Sequence, residues 1–140
     1  MIEVQEVSKK FELSRKQKKE LDTKEKYSLA VNDISFTCKP GRVFSLLGPN
    51  GAGKTTTLRM ISTIFKPTAG DIKICGLDTL GNELEIRSKI GFLTGSTGLY
   101  QRLTPNEILD YFGKLYKMDP NVISERKKYL YDLLDMESFQ

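Results

Sequence analysis

Gly48-Pro49-Asn50-Gly51-Ala52-Gly53-Lys54-Thr55 is the stretch that decides how this 140-residue chain folds. It fits G-x-x-x-x-G-K-[ST], the Walker A phosphate loop. Such a loop works only when a strand leads in and a helix leads out, so that a glycine turn aims several backbone N–H groups at one point. Both flanks are readable. Val43-Phe-Ser-Leu-Leu47 is a short, mostly apolar run that predicts a strand buried on both faces. Lys54 to Phe65 predicts a helix with Leu58, Ile61 and Phe65 on one face. With glycine near 7% of average usage, the four fixed positions arise by chance in so short a chain at roughly one per cent or less.

Each residue type has a chemical reason to be there. Asn50, Gly51, Ala52 and Gly53 are the expected backbone cradle for phosphate oxygens, and the positive end of the following helix points at the same place. Lys54 is the candidate catalytic residue, placed to reach the β- and γ-phosphates. The Thr55 hydroxyl is the candidate Mg²⁺ ligand, and Thr56 adds a phosphate contact through its N–H or hydroxyl.

Upstream, Ile2 to Val7 alternates apolar and polar residues for most of its length, which predicts a half-buried strand. Alternation resumes weakly from Tyr27 to Cys38, and Lys39-Pro40-Gly41 closes that segment with a turn signal. Between them, a polar insertion at about 13–26 has no periodicity or apolar anchor and predicts a mobile loop. Downstream, Asp71 to Cys75 reads as a strand, Asn82 to Ser88 as a short helix and Ile90 to Thr94 as a further strand. From Thr104 the pattern is helical. Thr104-Pro105-Asn106-Glu107 supplies an N-cap, a first-turn proline and a capping-box glutamate, and Ile108, Phe112 and Leu115 form one apolar face. A second helix follows Asp119-Pro120, with Ile123, Leu130 and Leu134 inward and Arg126, Lys127 and Lys128 on its solvated side.

Bulk properties narrow the class. The length suits one domain, and no apolar run approaches the roughly 20 residues that span a bilayer. The opening Met1-Ile2-Glu3-Val4-Gln5 lacks a secretory profile, so a soluble, cytoplasmic protein is expected. Cys38 and Cys75 lack metal-ligand spacing and the chain has no histidine, which predicts free buried thiols. The net charge of +4 resides in residues 9–26, with eight Lys/Arg and four Asp/Glu, leaving the rest neutral. A local charged loop is not a basic face, and no nucleic acid is expected as a partner.

The phosphate loop alone does not separate ATPases, GTPases and small-molecule kinases. The run from Leu47 to Ile61, with Lys66-Pro-Thr-Ala-Gly70 after it and Val31-Asn-Asp-Ile-Ser-Phe36 before it, resembles the ATP-binding subunits of ABC transporters. The segment from Ile90 to Glu107 is similar to the sodium-extrusion (Nat-type) branch of the ABC exporters. The resemblance implies an α/β P-loop NTPase fold of the ABC ATPase type. Its parts are an N-terminal antiparallel β-subdomain, a partial RecA-like core and the start of a helical subdomain at about 104. It implies ATP and Mg²⁺ as cofactors, a second ATP-binding subunit paired head to tail and a membrane permease as partners. It also implies a cytoplasmic position, peripheral on the inner face of the cell membrane through that permease. Phe11, after Val7-Ser-Lys-Lys, matches the aromatic that stacks on adenine, with Tyr27 as substitute and a plain core aromatic as the competing reading. Gly95 stands where most relatives carry a glutamine that touches Mg²⁺ and the attacking water.

The family's second metal-binding motif is four apolar strand residues ending in Asp and followed by the catalytic Glu. Its nearest match is Leu133-Leu-Asp-Met-Glu137, which continues a helical pattern and is rejected. No Leu-Ser-Gly-Gly-Gln signature or switch histidine occurs in the 140 residues. ATP hydrolysis driving export, of sodium ions on the narrower resemblance, is therefore expected of the full subunit, and nucleotide binding without turnover of this chain alone. The alternatives are a GTPase or small-molecule kinase, disfavoured because Asn-Lys-x-Asp is absent, and a non-catalytic regulatory or interaction module derived from such an ATPase.

Overall fold

The computed structural model describes residues 1–93, 95, 98 and 102–136. Two units divide the chain, Met1–Phe92 and Leu93–Gln140.

The first unit is built on a four-stranded antiparallel sheet. Strand β1 (Ile2–Glu12) lies between β2 (Tyr27–Cys38) and β3 (Ala69–Ile74), and a short β4 (Leu77–Asp78) pairs with β3 on the outside. The Ile2 to Val7 pattern explains the register. Val4 and Val7 are both buried although they are three apart, because both ladders of β1 shift register after residues 4 and 5. The irregularity at Gln5 and Glu6, the latter with φ 50°, resets the alternation so that Val7 rejoins the core face. Gly70 is what permits it. Its φ is +78°, and a Cβ there would stand 2.3 Å from the Glu6 carbonyl oxygen and 2.4 Å from that of Gln5.

Helix α2 (Lys54–Ile61) packs on this sheet through Thr57 and Met60, and Val4, Val7, Val31, Met60, Ile72, Ile74 and Ile86 form the core. Ile86 comes from α3 (Glu83–Lys89). Full burial of a side chain the size of Met60 or Ile72 is worth about 1.5–3 kcal/mol, so these few residues hold the unit together. The Arg87 guanidinium donates to the Thr63 hydroxyl at 2.7 Å and to its carbonyl at 2.9 Å, tying α3 to the turn after α2.

Several expectations for this unit are corrected. The insertion contains helix α1 (Arg15–Glu20), started by a reciprocal capping box between Ser14 and Gln17. Helix α2 ends at Ile61, not Phe65, and turns Met60 inward while Leu58 stays 47% exposed. Val43 to Leu47 is not a strand; Val43 is 97% and Leu47 92% exposed. An apolar run becomes a buried strand only where neighbours pair with it, and no described residue does so here. Ile90 to Leu93 is likewise irregular, and Thr94 lies outside the described residues. Both cysteines are free, but Cys38 is half-buried and Cys75 exposed.

The second unit holds two helices, α4 (Pro105–Leu115) and α5 (Pro120–Leu134). Thr104 and Glu107 form the capping box read from sequence, and Asp119 caps α5 by accepting from the Asn121 N–H at 2.8 Å. The helices meet where Ile123 packs against Gly113, with Lys127 bonded to Asp110 at 2.8 Å and the Tyr131 hydroxyl donating to Asn106 at 3.1 Å. The inward side of α5 thus carries Ile123, Lys127 and Tyr131. Leu134 is 59% exposed, and on α4 Phe112 is 42% and Leu115 60% exposed, against expectation. Leu133 and Leu134 are helical, as their rejection as a strand motif requires; Glu137 lies outside the described residues.

Candidate phosphate-binding site

The site is assembled at the start of α2. Three other helices, α1, α4 and α5, begin with a side chain that caps a free N–H. Helix α2 begins with Gly53 at φ +82° and no side-chain cap. Its first intrahelical bond runs from the Thr57 N–H to the Gly53 carbonyl at 2.8 Å, so the N–H groups of Lys54, Thr55 and Thr56 precede the ladder and have no partner within the helix. Donors left open at the positive end of a helix are what an anion needs.

Gly53 is there for a steric reason. A Cβ at this position would come 2.4 Å from the Ala30 carbonyl oxygen and 3.0 Å from Val31, because the loop presses on β2. Strand β2 thus supplies the floor against which the loop turns. The Ala52 N–H donates to the Pro49 carbonyl at 3.2 Å and closes the turn internally. Lys54 folds back over it, its ammonium donating to the carbonyls of Gly48 at 2.6 Å and Pro49 at 2.7 Å. The Thr57 hydroxyl donates to the Gly53 carbonyl at 3.0 Å and faces the helix rather than the loop.

Asn50, Gly51, Ala52, Gly53, Lys54, Thr55 and Thr56 all line one cavity of about 210 Å³, with Ala30 as its eighth wall residue. A neighbouring cavity of about 440 Å³ shares Ala30, Gly51, Ala52 and Lys54 and extends along β2 past Leu29, Asn32 and Ile34. The structure therefore brings seven of the eight candidate residues together. Phe11 is the one it does not: it lines neither cavity and packs edge-on against Phe65 at 5.3 Å, with the Lys9 ammonium 5.1 Å from its ring centre. Tyr27 is 46% exposed beside Lys26. Sequence reading missed Ala30, Leu29 and Asn32, whose place at the site depends on a contact between distant segments and has no local signal.

The donor set fits a phosphate group: open helix N–H groups, a turn without side chains at its tight points, and an ammonium held at the rim. The Thr55 hydroxyl is exposed and free to meet a hard cation such as Mg²⁺, which takes oxygen ligands. Among the described residues, no group of three or more acidic, Cys or His side chains is placed to hold a metal without such a phosphate.

A family model for ABC transporters matches residues 31–138. The ABC transporter ATP-binding protein NatA of Bacillus subtilis (strain 168) is 46% identical over 104 residues, 74% of this chain and 42% of that protein. Nod factor export ATP-binding protein I of Ralstonia nicotianae is 36% identical over 107 residues, 76% of this chain and 33% of that one. A solved dimeric cassette of a bacterial ABC transporter superposes with a TM-score of 0.78 at 25% identity, covering 99% of this chain and 60% of that chain. The chain thus spans less than half the length of these two curated relatives.

Proposed function

This chain belongs to the ABC transporter family, and we propose that it forms the phosphate-holding part of an ATP-binding subunit that, as a whole, hydrolyses MgATP to drive transport across a membrane. One observation carries the reading: α2 starts without a cap, and its open N–H groups and Lys54 line the same cavity. A triphosphate supplies there the anionic oxygens that the helix end lacks. Asn50 to Gly53 orient it through their backbone, Lys54 exchanges the loop carbonyls for β- and γ-phosphate oxygens, and Thr55 offers its hydroxyl to Mg²⁺. Positioning and charge neutralisation at the γ-phosphate are how such sites accelerate transfer. Phe11 stacking on adenine belongs to this proposal and requires the Phe11 ring to offer a face now shared with Lys9.

Family membership supports the remaining parts of the proposal: a head-to-tail second subunit, in keeping with the dimeric cassette that this chain resembles, and a permease that holds the subunit at the cytoplasmic face of the membrane. No helix among the described residues is long and apolar enough to cross a membrane itself. The narrower reading, sodium export, has the support of the Ile90 to Glu107 resemblance and of the identity to NatA.

Calorimetric titration of the 140-residue chain with MgATP tests the core of the proposal. Saturable binding is expected, without steady phosphate release, because the catalytic glutamate and signature are not among these residues. Absence of binding at millimolar nucleotide would sink the proposal, and turnover that depends on Lys54 would overturn the division of labour.

A further inference from the structure

Three of the four excess positive charges of the chain sit in one excursion from the sheet, residues 13–26, with six Lys/Arg against three Asp/Glu. The last β1–β2 pair is Glu12 with Tyr27, and the Leu13 N–H donates to the Lys26 carbonyl at 2.9 Å, closing a neck. Beyond that neck, Leu13 is buried and anchors the excursion, while α1 buries none of its residues. The capping box of Ser14 and Gln17 fixes the helix: the Ser14 N–H donates to Gln17 Oε1 at 3.0 Å and the Gln17 N–H to Ser14 Oγ at 3.2 Å. The tip is therefore an ordered platform.

Its side chains are arranged in one sense. At about 100° per residue, Lys18, Arg15, Lys19 and Lys16 follow one another around roughly half of the helix circumference, and Gln17 occupies the other side. Of the four, only Lys16 has an ion-pair partner among the described residues, Glu20 at 3.8 Å. Arg15 and Lys16 also stand in the first turn, which has no acidic residue, so they oppose the positive end of their own helix. A sequence that breaks a local rule while adding a capping box to keep the helix points to a use for the charges. Leu21, at the C-cap, adds an apolar side chain that is 62% exposed.

We propose that this basic tip is a docking surface for an anionic phospholipid bilayer. Clusters of four or more Lys/Arg on a helix surface match the potential of such membranes, each residue near the surface contributing about a fivefold gain in partition. Leu21 gives the tip an apolar contact that a purely aqueous polyanion does not need. Residues 13–26 contain no aromatic on which bases stack, and the tip lines neither cavity at the phosphate loop, which disfavours single-stranded nucleic acid. The choice of a membrane as the anionic surface rests on the transport reading, since a subunit held by a permease works within reach of lipid headgroups.

The test is co-sedimentation of the 140-residue chain with vesicles of phosphatidylcholine alone and of phosphatidylcholine with phosphatidylglycerol. Sedimentation with the anionic vesicles only is expected, lost at high salt as surface charges are screened. The variant carrying Arg15→Gln, Lys16→Gln, Lys18→Gln and Lys19→Gln should partition several hundredfold less, at about fivefold for each charge removed. The double variant Arg15→Glu, Lys19→Glu gives the same direction if the quadruple one loses its helix. Removing four charges elsewhere, with Lys114, Lys117, Arg126 and Lys128 changed to Gln, should leave binding intact. Equal loss in that control, equal binding to neutral vesicles, or preference for single-stranded RNA over anionic vesicles overturns the proposal. Lys54→Ala should bind vesicles normally, so failure of ATP binding and failure of docking are separable.

Discussion

The ammonium of Lys54 donates to the carbonyl oxygen of Gly48 at 2.6 Å, so the first residue of the phosphate loop holds the lysine that follows its last glycine. The side chain is thus already folded over the loop, and a nucleotide need only replace carbonyl oxygens with phosphate oxygens. Charge-assisted hydrogen bonds of this kind contribute about 1.5–3 kcal/mol. Lys54→Ala should weaken MgATP binding roughly tenfold or more. Calorimetry reporting an unchanged affinity would remove Lys54 from the site.

Two glycines of the loop should respond differently to the same change. Gly51 has open space where a Cβ would be, whereas at Gly53 the new atom would lie 2.4 Å from the Ala30 carbonyl. Both have positive φ, so both substitutions carry local strain of about 1–3 kcal/mol. Only Gly53→Ala also forces the loop off β2. Urea unfolding should show Gly53→Ala as the more destabilised of the pair, with its nucleotide binding abolished; equal losses would mean that the loop can shift without consequence.

Glu107 should titrate below its ordinary value of 4.5, because the Thr104 N–H and then the Thr104 hydroxyl donate to its carboxylate. A carboxyl held low in the folded state adds stability that is present above the ordinary value and lost as pH falls through the lowered one. Carbon-detected NMR titration should place Glu107 below the ordinary glutamate value of 4.5, and the helix signal of α4 should fray at the acid end. Thr104→Ala should cost about 0.5–2 kcal/mol and return Glu107 toward 4.5. Because alanine keeps the N–H that is the larger cause, the return should be partial, and a Glu107 titration unmoved by the substitution would remove the hydroxyl from the assignment.

The exposed run from Val43 to Leu47 should exchange its amide hydrogens quickly and give the isolated chain a tendency to self-associate. Unpaired backbone beside exposed apolar side chains is a template for a second chain. Sedimentation at micromolar concentration should show more than monomer. A strict monomer with protected amides across residues 43–47 would show that this run finds a partner within the chain.

What was legible in the sequence was local chemistry. Thr104 and Glu107 sit at the spacing of a capping box and form one; Ser14 and Gln17 have the same spacing and also form one, yet the lack of periodicity and of apolar anchors around them predicts a loop instead. The strand run at Val43 was misread for the opposite reason. Its apolar character reports a burial demand, which the sequence states clearly, but whether a neighbour meets the demand is a property of the whole fold. The bulge that lets Val4 and Val7 share a face belongs to the same class, since it depends on Gly70 arriving across the sheet. At the site, the loop residues announced themselves by type and spacing, while Ala30 is there only because β2 passes beneath.

The central position of β1 sets the order in which the first unit can be completed. Its partner β2 is the next strand in the chain and pairs with it across smaller sequence separations, whereas β3 must return to β1 after the phosphate loop and α2 have been made. Closure of that long excursion is the entropically demanding step in folding, and contacts of large sequence separation slow it. The nucleotide loop lies inside the segment being closed, so on a growing chain it gains its floor from β2 early and its final frame only when Ala69 to Ile74 has emerged and docked.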